Sequence, residues 1–278
     1  MNQVEYQYIK KKVWQLIQID IDHYKANQMI RRLDGFISRT KAEDVVQYCN
    51  WLDQDVTERA KLRSFLTINV TEFYRDQIHF EILRRAILPE LLENNPRLNI
   101  WSAGCSDGEE PYSIAVMLDE LTPGVKHRIF ASDIDKESLS KAAAGGPYQT
   151  QEIRNVPQRL LCKYFNSRED GYWVNERILD RIIFSQQDLT RDTFRFGFDL
   201  IICRNVTIYF TNEIKKILSL KFLNALKENG VLFIGATETM LDASEIGFQR
   251  LYSCFYKKNT IGVPEEKNVL ISAISSSK

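Results

Sequence analysis

Two hydrophobic periodicities divide this chain. Up to about residue 66, apolar residues recur at intervals of three and four. Ile9, Val13, Leu16 and Ile17 form one set. Ala26, Met29, Ile30, Leu33, Phe36 and Ile37 form a second, and Val45, Val46, Tyr48, Cys49 and Leu52 a third. That spacing predicts amphipathic helices, with aspartates and Thr40 supplying turn and cap chemistry between them, and so a small helical bundle. From about residue 98 the pattern changes to short apolar runs alternating with helical segments. Strands are predicted over 98–103, 128–132, 198–203 and 231–235, and helices over 112–121, 137–144 and 212–227, the last closed by Asn229-Gly230. Residues 198–203 are apolar almost without a break, as a strand covered on both faces must be. The alternation predicts an α/β fold: a doubly wound, mostly parallel, Rossmann-like sheet.

One stretch interrupts the alternation. Residues 145–187 hold Gly145, Gly146, Pro147 and Pro157, with two strand-like runs at 172–174 and 178–185. They read as a small antiparallel β insert. Residues 261–278 are polar and Ser-rich, and are expected to be a flexible tail. The expected organisation is therefore a helical domain and linker over 1–75, a sheet domain over 76–260 carrying the insert at about 145–187, and the tail.

Composition narrows the function classes. The 278 residues carry 37 Lys and Arg against 37 Asp and Glu, a formal net charge of zero. No global field draws such a chain to nucleic acid or to an anionic membrane, so electrostatic recognition must be local. There is no basic-then-apolar leader and no apolar run near the roughly 18 residues of a membrane span. The five cysteines lack CxxC spacing, which fits reduced thiols in a cytoplasm. The three histidines are far apart in sequence, so no metal site built on imidazole is expected.

The candidate chemistry lies at predicted strand ends. Residues 100–116, IWSAGCSDGEEPYSIAV, run from a strand through a small-residue turn into a helix start. Open α/β sheets bind nucleotide-like ligands at such a place. The turn has neither GxGxxG nor GxxxxGK[ST], and it brings carboxylates, among them Glu109, where a pyrophosphate pocket would avoid them. The expected ligand therefore has hydroxyls and positive charge, as S-adenosylmethionine does. Glu109 is alternatively a solvated acid favoured by the helix dipole. Asp133 closes the second strand, where an acid bonds ribose hydroxyls or caps the next helix; Asp135 suits the cap better. Residues 198–211, FDLIICRNVTIYFT, end a buried strand in Cys203, Arg204 and Asn205 and then present Tyr209 and Phe210. Residues 67–76, TINVTEFYRD, offer Asn69, Thr71 and Arg75, or else a plain helix entry with Phe73 and Tyr74 in the core. Lys25, Arg31, Arg32, Arg39 and Lys41 face one acid, Asp34, over a short stretch. Lys25, Arg32 and Arg39 are seven apart and would share a stripe on one helix, although Gly35 weakens the case for an unbroken one.

Taken together, four blocks resemble the CheR family of chemotaxis receptor methyltransferases, its Gram-positive type most closely. They are (T/I)NxTxFxR, WSAxCSxGEEPYS, (A/S)(T/S)DIDxxxLxxA and DLIxCRNVxIYF, and they occur here in order over roughly residues 5–258. The resemblance implies a protein-glutamate O-methyltransferase that uses S-adenosylmethionine, yields S-adenosylhomocysteine and forms γ-methyl esters on the acidic cytoplasmic helices of receptors. It implies a helical N-domain, a methyltransferase sheet and an inserted β-subdomain. Matched residue by residue, it puts Asn69, Thr71, Arg75, Glu109, Asp133, Asp188, Leu189, Cys203, Arg204 and Asn205 around the cofactor. Arg75 and Tyr209 match positions near the transferred methyl, and Lys25, Arg31, Arg32 and Arg39 match the receptor-docking helix. The expected enzyme is a cytoplasmic monomer without metal, nucleic-acid partner or membrane insertion. Two alternatives stay open: a non-catalytic signalling module that binds S-adenosylmethionine or S-adenosylhomocysteine, and a CheR-like methyltransferase of a pathway other than chemotaxis. The chain departs from the family pattern at Asp107, where Thr is usual, at Thr207, where an aliphatic is usual, and in GATETM (235–240), where GHSES or GSTE is common.

Overall fold

The computed structural model describes residues 1–67, 71–240 and 242–259. Its contacts group into two units, Met1–Asn69 with Tyr209–Lys215, and Val70–Ile208 with Lys216–Lys278.

The first unit is built on α1 (Gln3–Ile17), α2 (Ala26–Ile37), α3 (Val45–Gln54) and α4 (Val56–Thr67). The apolar spacing read from the sequence becomes its core: Ile9, Val13, Ile17, Met29, Leu33, Tyr48, Leu52 and Leu62 are all at most 2% exposed. Local chemistry sets the helix starts. Asn2 and Glu5 form a reciprocal capping box on α1, and Asp44 caps α3 through the Gln47 N–H. Helix α2 continues through Gly35 and ends at Ile37. Lys25 is therefore its N-cap and Arg39 lies beyond its end, so the two do not share a helical stripe with Arg32 as the seven-residue spacing had suggested.

The second unit opens with α5 (Gln77–Ile82), a wide turn at Leu83–Ile87 and α6 (Leu88–Asn94). There follow β1 (Asn99–Ala103), α7 (Glu109–Leu121), β2 (Arg128–Asp133), α8 (Lys136–Ala144), α9 (Thr150–Ile153), α10 (Gln158–Tyr164), β3 (Phe165–Arg168), β4 (Gly171–Val174), α11 (Glu176–Leu179), β5 (Ile182–Gln186), β6 (Phe198–Cys203), α12 (Asn212–Ala225), β7 (Leu226–Ile234), α13 (Ala243–Ile246), β8 (Phe248–Tyr252) and β9 (Phe255–Lys258). Seven strands form one sheet in the order β5-β2-β1-β6-β7-β9-β8. It is parallel from β5 to β7 and antiparallel where β9 pairs with β7 and β8. Successive strands leave β1 in one direction and β6 in the other. The carboxyl ends of β1 and β6 therefore flank the switch point where open α/β sheets take ligands.

Trp101 on β1 anchors the core. It is 1% exposed, it meets Phe194, Phe198 and Phe222 at ring separations of 4.7, 5.4 and 5.7 Å, and its indole N–H donates to Ser132 Oγ at 2.9 Å. A buried indole needs such a partner.

The insert differs in detail from the sequence reading. Its antiparallel pair is β3 with β4, a second sheet of two strands. The apolar run from Ile178 divides instead: Ile178 sits in α11, and Ile182–Gln186 joins the main sheet as a parallel edge beside β2. A short apolar run carries no information about its partner strand. Cys254 lies in the turn between β8 and β9.

Candidate active site at the carboxyl edge of the sheet

The turn after β1 is folded onto the end of β2. The N–H groups of Gly104 and Cys105 both donate to Ser132 O, at 2.7 and 3.0 Å. Gly104 has φ +81°, and a methyl group built on it would lie 2.5 Å from Val206 Cγ2, so only glycine lets the loops after β1 and β6 approach this closely. Asp133, at the end of β2, accepts from Ser106 N–H at 2.8 Å and from Asp135 N–H at 3.0 Å, one bond per carboxylate oxygen. Each oxygen keeps a further lone pair for a ligand hydroxyl. Burial raises the Asp133 pKa and these backbone donors pull it back. Asp135, not Asp133, caps α8, through the Glu137 N–H. Gln187, after β5, adds the third loop by donating its N–H to Asp133 O at 2.8 Å.

The two glutamates that open α7 have different fates. Glu110 accepts from Ser102 Oγ at 2.8 Å and pairs with Arg204 at 3.4 Å. Glu109 is 0% exposed, and neither of its carboxylate oxygens has a hydrogen-bond partner among the described residues. Burial drives its pKa well above the usual carboxylate range, with Asp107 and Glu152 adding to the rise and Lys141 opposing it. Asp107, Glu109 and Glu152 each bring one oxygen within 4.8 Å of the others. Lys141 already serves two of the three, at 2.8 Å from Asp107 and 2.7 Å from Glu152. The extra negative charge of Asp107 is thus balanced within the protein, and Glu109 is the acid left without a partner. A buried, unpartnered carboxylate suits a ligand that carries positive charge and donor hydrogens.

Arg204 is a strut. Its side chain is 2% exposed. It donates to Arg75 O at 2.9 Å and to Asp76 Oδ2 at 2.6 Å, and it lies against the rings of Phe80 and Phe233, 5.3 and 4.7 Å from their centres. It holds a bent segment: Tyr74 and Asp76 have φ +53° and +61°, and the Tyr74 N–H donates to Ser113 Oγ. Phe73 is fully buried in this segment, and Thr71 and Arg75 flank it, both half-buried. Asn69 lies outside the described residues.

Asp188 and Leu189 follow β5 in a loop closed by side-chain bonds. Asp188 Oδ1 accepts from the N–H and hydroxyl of Thr190, and the Asp188 N–H donates to Asp192. Lys221 on α12 pins this loop by donating to Leu189 O at 2.9 Å and Asp192 O at 2.7 Å, with its ammonium 4.2 Å from the centre of the Phe194 ring. Burial lowers its pKa to about 8. At the end of β6, Cys203 is fully buried and its thiol is pushed well up by desolvation, while Asn205 takes φ +59°.

The first unit holds the remaining predicted residues. Tyr209 accepts from the Lys25 N–H through its carbonyl, and the Arg32 guanidinium lies 5.6 Å from its ring centre. Arg32 also bonds Phe65 O and stands 5.0 Å from the Phe65 ring centre, so it is a half-buried packing group. Arg31 and Arg39 are exposed.

Sequence reasoning did not single out Lys141, Lys221, Ser106 or Glu238. Lys141 and Lys221 act across loops, which spacing does not reveal. Glu238 stands just past a strand end within the GATETM departure, and that position was its one signal.

Comparison with known proteins decides the family. The profile of the CheR methyltransferase, SAM binding domain, matches residues 69–253, and that of the CheR methyltransferase all-alpha domain matches residues 4–67. The chain belongs to the CheR methyltransferase family. A chemotaxis protein methyltransferase of Listeria innocua is 36% identical over 256 residues, 91% of this chain and 97% of that one. Another from Borreliella burgdorferi is 34% identical, over 90% of this chain and 92% of the relative. Chemotaxis protein methyltransferase 1 of Pseudomonas aeruginosa is 38% identical over 66% of this chain. The expectation of an S-adenosylmethionine-dependent methyltransferase with a helical N-terminal domain and a mostly parallel sheet is borne out. Among the described residues no helix is long and apolar enough to cross a membrane.

Proposed function

We propose that this CheR-family methyltransferase acts on chemotaxis receptors in the cytoplasm, converting glutamate side chains on their acidic helices to γ-methyl esters. The observation that carries the reading is the pair of acids after β1 and β2: Glu109, buried without a partner, and Asp133, with spare lone pairs. Their chemistry fits the ammonium, sulfonium and ribose hydroxyls of S-adenosylmethionine. Bound there, the donor supplies an electrophilic methyl group.

The protein's part is binding and alignment. Asp133 bonds the ribose hydroxyls, Glu109 faces the cationic portion, and Asp188 with Leu189 borders the adenine. The carbonyl of Arg75 accepts from Arg204, and the resemblance to the family assigns Arg75 to positioning the acceptor and Tyr209 to the methyl-transfer step. A receptor glutamate has a reference pKa of about 4.3 and is already ionised near neutrality. The site therefore needs no general base, in keeping with the lack of histidine from the four matched blocks. An aligned, water-poor pocket is the remaining requirement. Arg31 and Arg39, exposed on the N-terminal unit, are suited to an acidic helix.

The test is incubation of purified protein with tritiated methyl donor and a receptor cytoplasmic fragment, followed by base. Volatile methanol identifies a carboxyl ester. Base-stable label on the receptor, or label only on small molecules, overturns the reading.

A further inference from the structure

From the hydrogen bonds around the loop after β6, we infer that Glu238 is a positioning residue for donor binding, a carboxylate that sets the left-handed turn at Asn205. The inference rests on the proposed donor site and on the resemblance that sets Asn205 beside the donor. Glu238 lies after β7 and is 4% exposed. Its two oxygens gather five donors. Oε2 accepts from Gly235 N–H at 2.6 Å and Asn205 N–H at 2.9 Å. Oε1 accepts from Thr207 N–H at 2.7 Å, Thr207 Oγ1 at 2.8 Å and Ile208 N–H at 3.2 Å.

Four of those donors belong to residues 205–208, which leave β6 at the switch point. A non-glycine residue at φ +59° costs energy, and the surroundings must impose it. The carboxylate does so by accepting from the amide of the strained residue and from amides on its far side. Gly235 completes the device. A methyl group built there would lie 2.5 Å from Glu238 Oε2 and 2.9 Å from Asn205 N, so the clamp and the turn fit only against glycine. The reason for an acid is that all five partners are donors. A carboxylate accepts at both oxygens, whereas an amide of the same shape would point two hydrogens at N–H donors. Thr207, a departure from the aliphatic usual in the family, donates the extra hydroxyl bond. Glu238 touches nothing that reacts; it acts through Asn205.

The experiment is a double-mutant cycle on S-adenosylhomocysteine binding by calorimetry, using the full chain. Asn205→Ala and Glu238→Gln are each expected to weaken binding at least about ten-fold, the 1.4 kcal/mol that separates decades of affinity. The double variant should be no weaker than the worse single one, because both remove the same contact. Thr207→Val, which deletes one of the five donors, should weaken binding by a smaller factor and keeps the clamp testable if Glu238→Gln does not fold. If Asn205→Ala binds normally, the donor contact itself is wrong. If Asn205→Ala is impaired while Glu238→Gln or Thr207→Val binds like the parent, or if losses in the double variant multiply, Glu238 does not act through Asn205.

Discussion

Arg204 offers the sharpest test of how the site is held. Replacing it with Met keeps an unbranched side chain against Phe80 and Phe233 and removes the charge. Two acids lose their cation, and they are not equivalent. The Asp76 side chain is 34% exposed and rehydrates when released, while that of Glu110 is 13% exposed and stays desolvated. Removing one partner of a buried ion pair costs about 3–5 kcal/mol, chiefly from the charge left behind. That range applies to Glu110, and little is added by Asp76. Arg204→Met should therefore lower stability by about 3–5 kcal/mol in urea titrations. Adding Glu110→Gln, which keeps an acceptor for Ser102 and has no charge, should return at least half of it.

The same reasoning fixes a pH dependence. Burial already raises the Glu110 pKa, and Arg204 is the largest influence lowering it; without Arg204 it climbs further. A carboxyl whose folded pKa lies above its unfolded value binds more protons when folded. Its contribution is fully present below the unfolded pKa and is lost as pH rises through the folded one. The deficit of Arg204→Met relative to the parent should thus shrink as pH falls from about 7.5 towards 5, where Glu110 takes up a proton. A cost below about 1 kcal/mol, no recovery with Glu110→Gln, or a deficit that is flat in pH would refute the account of Arg204 as a buried counter-ion.

Glu109→Gln should weaken S-adenosylmethionine binding at least about ten-fold by calorimetry while raising the ligand-free melting temperature at pH 8, because an amide does not have to ionise in a buried site. The parent's affinity should increase with pH as Glu109 ionises, and the variant's should not. The lowered pKa of Lys221, about 8 against 10.5, means that the unfolded chain binds more protons between those values, so stability gains with pH in that window; the parent's stability relative to Lys221→Met should climb from pH 8 to 10. Charge reversal at the exposed Arg31 and Arg39 should reduce receptor methylation, most at low salt, and leave S-adenosylhomocysteine affinity unchanged; Arg32→Glu should in addition lower the melting temperature, since Arg32 packs on Phe65 and Tyr209.

Much of the fold was legible because its cause is local. Apolar runs at 98–103, 128–132 and 198–203 became β1, β2 and β6, since a doubly covered sheet demands such runs. What remained hidden was set by contacts between distant segments. The run from Ile178 does not state that its second half will pair with β2. Glu109 and Glu110 are adjacent and chemically alike, yet a helix turns them about 100° apart, one towards Arg204 and the other away from it. Arg204 reads as a strand-end residue of the pocket, but its partner Asp76 is 128 positions earlier in the chain. The seven-residue spacing of Lys25, Arg32 and Arg39 held no information about a helix end at Ile37.

The distribution of charge at the carboxyl edge follows a rule that zero net charge makes visible. Glu110 has Arg204, Asp107 and Glu152 share Lys141, and Asp133 and Glu238 are met by backbone N–H groups. Among the described residues only Glu109 is buried with both carboxylate oxygens unpartnered. If the purpose of these acids were a generally negative surface, Lys141 and Arg204 would defeat it. A field confined to one carboxylate is a better instrument for selecting one small cation, because the desolvation cost of Glu109 is offset only by a ligand that places positive charge at that point. Neutralising the other acids also keeps the acceptor in reach, since a receptor carboxylate approaching several uncompensated negative charges would be repelled. Glu109→Gln and Lys141→Met should therefore fail in different ways: the first loses donor affinity whatever the pH, whereas the second, which leaves Asp107 and Glu152 uncompensated and lets the Glu109 pKa rise further, raises the KM for the acceptor and moves the gain in donor affinity to higher pH.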